Sequence, residues 1–101
     1  MIRAVYEVKD DLYTGIEVSG HAEFGEYGKD LVCASVSSIM FGFMNALDAL
    51  DEDVEIRQLD NSISIVNRSS SKVIRDYFEL TLMQLKTIEE SYGDFIKVER
   101  K

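Results

Sequence analysis

Residues 31–50, LVCASVSSIMFGFMNALDAL, carry the longest helical pattern of apolar side chains in the sequence. Apolar residues recur there at spacings of three and four: Val32, Val36, Met40, Phe43, Leu47 and Leu50. This spacing predicts a helix of about 20 residues, a rod roughly 30 Å long. Since Ile39 widens the apolar stripe, we expect the helix to be buried on more than one side. Asp30 stands directly before the helix, at the position of an N-cap.

On the N-terminal side of this helix, the sequence contains a predicted hairpin and then a segment rich in glycine. Residues 2–9 alternate apolar and polar side chains, and residues 12–19 contain Ile16 and Val18, so both are predicted as strands. Asp10 and Asp11 between them suit a turn. Residues 20–30, GHAEFGEYGKD, break the pattern with three glycines. We predict a loop there, either a plain connection or a substrate-binding loop.

On the C-terminal side, a second hairpin is predicted from strands at Val54–Arg57 and Ser62–Val66, joined by a turn at Leu59, Asp60 and Asn61. Ser69, Ser70 and Ser71 offer N-caps for a second amphipathic helix, and Gly93 stands at its expected end. Residues 95–99 could form a short last strand. The order of strands and helices predicts an α+β fold, in which two long helices cover one face of a small, mainly antiparallel sheet.

The composition limits the kind of protein that this chain can be. Its 101 residues are predicted to form one domain, residues 1–101. A net charge of −8 argues against direct binding of nucleic acid, because such binding depends on a basic surface. No apolar run approaches the roughly 20 residues that span a bilayer, and the first residues lack the apolar core of a signal peptide. We therefore expect a cytoplasmic protein without a membrane partner.

The single cysteine and the single histidine lie at opposite ends of the glycine-rich segment. A lone cysteine excludes an intrachain disulfide and a multi-cysteine zinc or iron–sulfur site. His21 follows the second predicted strand, and Cys33 is at N3 of the helix if Asp30 is the N-cap. There the helix dipole and a nearby imidazolium would lower the pKa of the thiol, which favours nucleophilic catalysis. The residues alone leave open a cysteine that only fills the core and a histidine that lies on the surface.

Two motifs resemble those of a known family. Residues 20–22, GHA, and residues 28–37, GKDLVCASVS, are together similar to the pattern of the Prp family, the bacterial ribosomal-processing cysteine proteases. Residues 41–47, FGFMNAL, continue the similarity along the first helix, and the resemblance covers essentially the whole chain. Leu31 and Ser35 stand where isoleucine and alanine are common in the family, and neither change removes a catalytic group.

The resemblance implies a cytosolic endopeptidase that removes a short N-terminal extension from the large-subunit ribosomal protein L-twenty-seven. Cys33 would then be the nucleophile and His21 the general base, with neither a cofactor nor a metal. Asp30 matches the family's aspartate, which could cap the helix, orient the histidine or do both. The resemblance also implies a homodimer and a glycine-rich loop that moves when substrate binds. An acidic surface would steer a basic ribosomal protein, although such charge also serves solubility.

Further residues are predicted to line the substrate loop or to contact it: Gly20, Ala22, Phe24, Gly25, Tyr27, Gly28 and Ser37. Phe24 and Tyr27 could grip an apolar part of the substrate peptide, or they could simply pack the loop down. Ser37, one helical turn after Cys33, could bond the loop or a helix carbonyl. The backbone N–H of Cys33, together with an N–H of the loop, could form the oxyanion site.

Three other function classes stay open at this point. A non-catalytic, ribosome-associated binding module could contain the same residues. A thiol-redox protein is less favoured, because no second cysteine is present to resolve a sulfenic acid. A metal site built from His21, Cys33 and carboxylates would be short of ligands.

Overall fold

Seven elements follow one another in the part of the chain that the computed structural model describes, residues 1–20 and 27–101, with the backbone alone at 27–30. They are β1 (Ile2–Lys9), β2 (Leu12–Ser19), α1 (Tyr27–Asp48), β3 (Val54–Gln58), β4 (Ser62–Asn67), α2 (Lys72–Tyr92) and β5 (Ile96–Arg100). Each predicted strand is present, with its ends within one residue of the prediction. The short last strand is β5.

The strands form one mixed sheet in the order β3-β4-β2-β1-β5. β1 pairs with β2, β2 with β4 and β4 with β3 in antiparallel fashion, so the two hairpins join in the middle of the sheet. β5 lies parallel to β1, with Ile96 opposite Ile2. The predicted α+β class, with a mainly antiparallel sheet and two long helices, is confirmed.

One face of the sheet carries the core. Its buried side chains occupy alternate strand positions, as the pleat requires: Ile2, Ala4, Ile16, Val18, Ile65 and Ile96. They form one apolar cluster with buried side chains of α1 and α2, so both helices cover this face. Phe78 of α2 stacks on Tyr13 of β2 at 5.4 Å between ring centroids and meets Phe43 of α1 edge-on at 5.0 Å. These ring contacts connect both helices to the sheet.

The first helix begins earlier than predicted. Because α1 starts at Tyr27, Asp30 lies within its first turn and is not its N-cap, and Tyr27 and Gly28 are helical rather than part of a loop. An acidic residue is favourable in the first turn as well as at the N-cap, since both positions lie near the positive end of the helix dipole. Gly28 costs about 1 kcal/mol relative to alanine, which the packing of the later turns offsets.

The second helix begins and ends where the sequence predicts. Ser71 is the N-cap residue of α2 and Gly93 is its C-cap. Gly93 has a φ of −60°, so this helix does not end in the left-handed conformation for which glycine is usually selected.

α1 also contains a stretch long and apolar enough to cross a membrane, judged by length and composition only. This stretch is Leu31–Asp48, with a mean hydropathy of 1.5. No uninterrupted apolar run marks this stretch in the sequence, because serine and asparagine separate its apolar residues. Val32, Met40 and Leu47 of this stretch are buried in the cluster that α1 shares with the sheet. We therefore interpret α1 as a core helix.

Candidate active site

Cys33 lies in the second turn of α1. Its side chain is half-buried, its thiol is free, and it packs against the apolar core. The predicted N3 position is wrong, because the helix begins at Tyr27 rather than after Asp30. The helix dipole acts mainly on the first turn, and Cys33 lies beyond it.

The hydrogen bonding of the Cys33 backbone N–H also differs from the prediction. In an α-helix each N–H donates to the carbonyl four residues earlier, so this N–H is paired with the carbonyl of Lys29. Only the N–H groups of the first turn lack such partners. The predicted use of the Cys33 N–H as an oxyanion donor is therefore wrong for the helix in this conformation.

A cavity of about 170 Å³ opens beside Cys33. One wall comes from α1: Cys33, Val36, Ser37, Met40 and Phe41. A second wall comes from the β3–β4 turn, which is residues 59–61, together with the strand ends that flank it. Ile2, Val18 and Gly20 complete the lining. The thiol thus borders a space that is apolar on the helix side and partly polar on the side of the turn.

Two other residues predicted for the site lie at the same cavity. Ser37 follows Cys33 by one helical turn and lines the cavity with it. Gly20 directly follows β2 and has a φ of +96°, and a β-carbon there would collide with the carbonyl oxygen of Met1. The N–H of Gly20 donates to the carbonyl of Asn61 at 3.2 Å. This hydrogen bond ties the residue before His21 to the β3–β4 turn.

The remaining residues of the predicted loop lie outside the described part of the chain: His21, Ala22, Phe24 and Gly25. The pairing of His21 with Cys33 therefore stays a prediction. For Asp30 the N-cap role is wrong, whereas a role in orienting the histidine stays a prediction, because only its backbone is described. The same holds for substrate contacts of Tyr27, whose backbone is helical.

Among the described residues that line this cavity, Cys33 carries the thiol, and the other polar side chains are hydroxyls, amides and one carboxylate. Among the side chains that the structure describes, at residues 1–20 and 31–101, no three or more histidine, cysteine, aspartate or glutamate residues are grouped so that they could hold a metal ion. Cys33 is the only cysteine in the sequence. The arrangement suits attack by its sulfur on an electrophilic group held in the cavity.

Comparison with known proteins identifies the family. Residues 1–97 match the family model described as cysteine protease Prp. The chain belongs to the Prp family. The resemblance seen in the two sequence motifs is thereby confirmed, and the protein is a cysteine protease rather than a non-catalytic binding module.

Individual Prp proteins resemble this chain over most or all of its length. The ribosomal processing cysteine protease Prp of Mycoplasma pneumoniae is 38% identical over 88 residues, which are 83% of this chain and 84% of the relative. A crystal structure of Prp from Staphylococcus aureus with a covalently linked product peptide is 33% identical, with a TM-score of 0.89 over 100% of both chains. A second one, with a substrate peptide, is 31% identical with a TM-score of 0.90, again over 100% of both chains.

The β3–β4 turn is the part of this Prp-family cavity that the sequence analysis missed. It predicted Leu59, Asp60 and Asn61 only as the turn of a hairpin, although the turn lines the cavity together with Cys33. One signal was present in the sequence. Turns favour glycine and small polar residues, so a leucine in this turn needs another explanation.

Proposed function

We propose that this Prp-family protease removes the N-terminal extension of the large-subunit ribosomal protein L-twenty-seven, with Cys33 as nucleophile and His21 as general base. The observation that carries the proposal is the position of Cys33, half-buried in the wall of a cavity. A cysteine protease needs a thiol, and the sequence contains no other. His21, in the family motif at residues 20–22, is the only imidazole.

The proposed reaction has two steps. First, His21 accepts the thiol proton while the sulfur of Cys33 attacks the carbonyl carbon of the scissile peptide bond. His21 then donates that proton to the leaving amine, and a thioester joins Cys33 to the N-terminal fragment. In the second step His21 accepts a proton from water, the resulting hydroxide attacks the thioester, and the proton returns to the departing thiolate.

The relatives support both the covalent route and the ribosomal substrate. The Mycoplasma pneumoniae protein is a ribosomal processing protease, and one Staphylococcus aureus structure holds a covalently linked product peptide. A covalent link between enzyme and product is what a nucleophilic mechanism forms. The choice of L-twenty-seven rests on the resemblance of the two motifs to the family.

The proposal also covers partners and location. We propose a cytoplasmic homodimer that acts on a protein precursor without a cofactor and without direct contact to nucleic acid or membrane. The net charge of −8 supports a basic protein as substrate and opposes a nucleic-acid backbone. Light scattering is expected to give a mass near twice the 11.5 kDa of one chain, and a mass of one chain would contradict the dimer.

The test of the proposed function uses a synthetic peptide that spans the extension and the first residues of mature L-twenty-seven. Mass spectrometry should show one cut at the junction with the unchanged protein, and none with Cys33→Ser or His21→Ala. Ser35→Ala is the matched control, because Ser35 lies on the same helix but outside the cavity lining. If the unchanged protein binds this peptide and leaves it intact, L-twenty-seven is not its substrate.

A further inference from the structure

The β3–β4 turn presents a large apolar side chain at the cavity of Cys33. Leu59 is 65% exposed, although it lines the same cavity as Cys33. The other two residues of the turn, Asp60 and Asn61, are polar. An exposed apolar side chain gains free energy when a ligand covers it, by roughly 25 cal/mol for each Å² removed from water. Leu59 is therefore placed to contact whatever enters the cavity.

Backbone hydrogen bonds hold this turn in position. The N–H of Leu59 donates to the carbonyl of Ser62 at 2.8 Å and closes the turn. The N–H of Gly20 donates to the carbonyl of Asn61 at 3.2 Å and joins the turn to the end of β2. Ile63, which also lines the cavity, pairs with Val18 across the β4–β2 ladder. Leu59 is thus carried by a backbone that is tied to the sheet.

The size and lining of the cavity indicate what it can hold. Its volume is about 170 Å³, and Phe41, Leu59 and Ile63 supply apolar surface that is not already buried in the core. An apolar cavity of about 150 Å³ can bind a benzene molecule. The space therefore has room for one large apolar side chain, of the size of leucine or phenylalanine.

We propose that the β3–β4 turn is a specificity-determining element of this protease, and that Leu59 packs on a large apolar side chain of the substrate peptide. That side chain occupies the cavity next to the scissile bond, because Cys33 forms part of the cavity wall. The substrate class is a peptide with a leucine-sized or aromatic residue close to the cut. This inference rests on the proposed role of Cys33 as the nucleophile.

The test compares Leu59→Ser with Leu80→Ser in the full chain. Leu80 is the matched control, since it is the same residue type and is 59% exposed, but lies on α2 and does not line the cavity. We expect Leu59→Ser to lower kcat/KM for the extension peptide about tenfold, as the loss of one apolar contact in a binding pocket does. Leu80→Ser should leave kcat/KM unchanged.

An alanine scan of the large apolar residues of the peptide completes the test. One such replacement should lower kcat/KM strongly for the unchanged protein and only weakly for Leu59→Ser, because the two changes remove the same contact. Additive losses at each scanned position, or equal rates for Leu59→Ser and the unchanged protein, would overturn the inference while leaving the proposed function intact.

A binding measurement separates this inference from the proposed cleavage. Fluorescence anisotropy should show that the labelled peptide binds more weakly to a protein carrying both Cys33→Ser and Leu59→Ser than to one carrying Cys33→Ser alone. Because Cys33→Ser is expected not to cut the peptide, this measurement reports binding only. Equal binding by both proteins would overturn the inference. If Leu59→Ser changes the mass measured by light scattering, Leu59 contacts a second copy of the chain, and the inference is overturned.

Discussion

At the scale of single residues, replacing either of two glycines by alanine is expected to change the stability of the protein in opposite directions. Gly20 has a φ of +96°, and a β-carbon there would collide with Met1, so Gly20→Ala should lower the free energy of unfolding by about 1–3 kcal/mol. Gly42 lies in α1 with open space around its β-carbon position. Gly42→Ala should therefore raise the free energy of unfolding by about 0.5–1 kcal/mol. Urea unfolding measures both, and an unchanged Gly20→Ala midpoint would contradict the collision.

The reactivity of Cys33 can be measured directly. Iodoacetamide reacts with the thiolate, and Cys33 is the only cysteine, so the labelling rate reports this residue alone. If His21 accepts its proton, labelling should be fast well below about pH 8, and His21→Ala should slow it at least several-fold. The same chain unfolded in urea is the control, since it shows the pH dependence of an ordinary thiol. Identical profiles for the folded and unfolded chains would contradict an activated nucleophile.

At the scale of elements, removing the Phe78 side chain is expected to weaken the packing of both helices on the sheet. It is fully buried and contacts Tyr13 of β2 and Phe43 of α1. Phe78→Ala should lower the free energy of unfolding by about 3–5 kcal/mol, which includes the cost of the cavity left behind. Leu80→Ala, on the exposed side of the same helix, should change it by less than about 0.5 kcal/mol. Similar urea midpoints for the two variants would show that the core repacks around the missing ring.

The elements themselves could be predicted because their signals are local. Alternation in residues 2–9 and three- and four-residue spacing in residues 31–50 reflect which side chains each element buries. The start of α1 could not be predicted, because Asp30 is equally suited to an N-cap and to a first turn. The sequence therefore predicted Cys33 at N3, whereas it lies in the second turn of α1. The predicted oxyanion donor, the N–H of Cys33, depended on the N3 position.

The β3–β4 turn shows why the site was only partly predictable. Cys33 could be identified as a candidate nucleophile from the sequence alone, because only cysteine has a thiol and the sequence contains one cysteine. Leu59 and Asn61 have no reactive group that would mark them in the sequence. They line the cavity with Cys33 because β4 pairs with β2 and brings the turn beside Gly20. A pairing between strands so far apart in the chain is not encoded in any short pattern of residues.

At the scale of the whole molecule, strand order assembles the cavity from four separate parts of the chain. β1 and β2 supply Ile2 and Val18, α1 supplies Cys33, and the hairpin of β3 and β4 supplies its turn. The parallel pairing of β5 with β1 places Ile96 beside Ile2 and buries both. The sequence predicted β5 but not its partner. The N-terminal strand is therefore held from both sides, by β2 and by β5, at the end where Ile2 lines the cavity.

The net charge of −8 leads to a prediction that belongs to the whole molecule. A basic extension peptide should be attracted at long range, so kcat/KM should fall as salt screens the charges. Between about 0.01 M and about 0.1 M salt the Debye length shortens from about 30 Å to about 10 Å, and we expect a roughly three- to tenfold loss over this range. The control is a peptide with glutamine in place of its lysines and arginines. If both peptides lose activity equally, the charge serves solubility and does not steer the substrate.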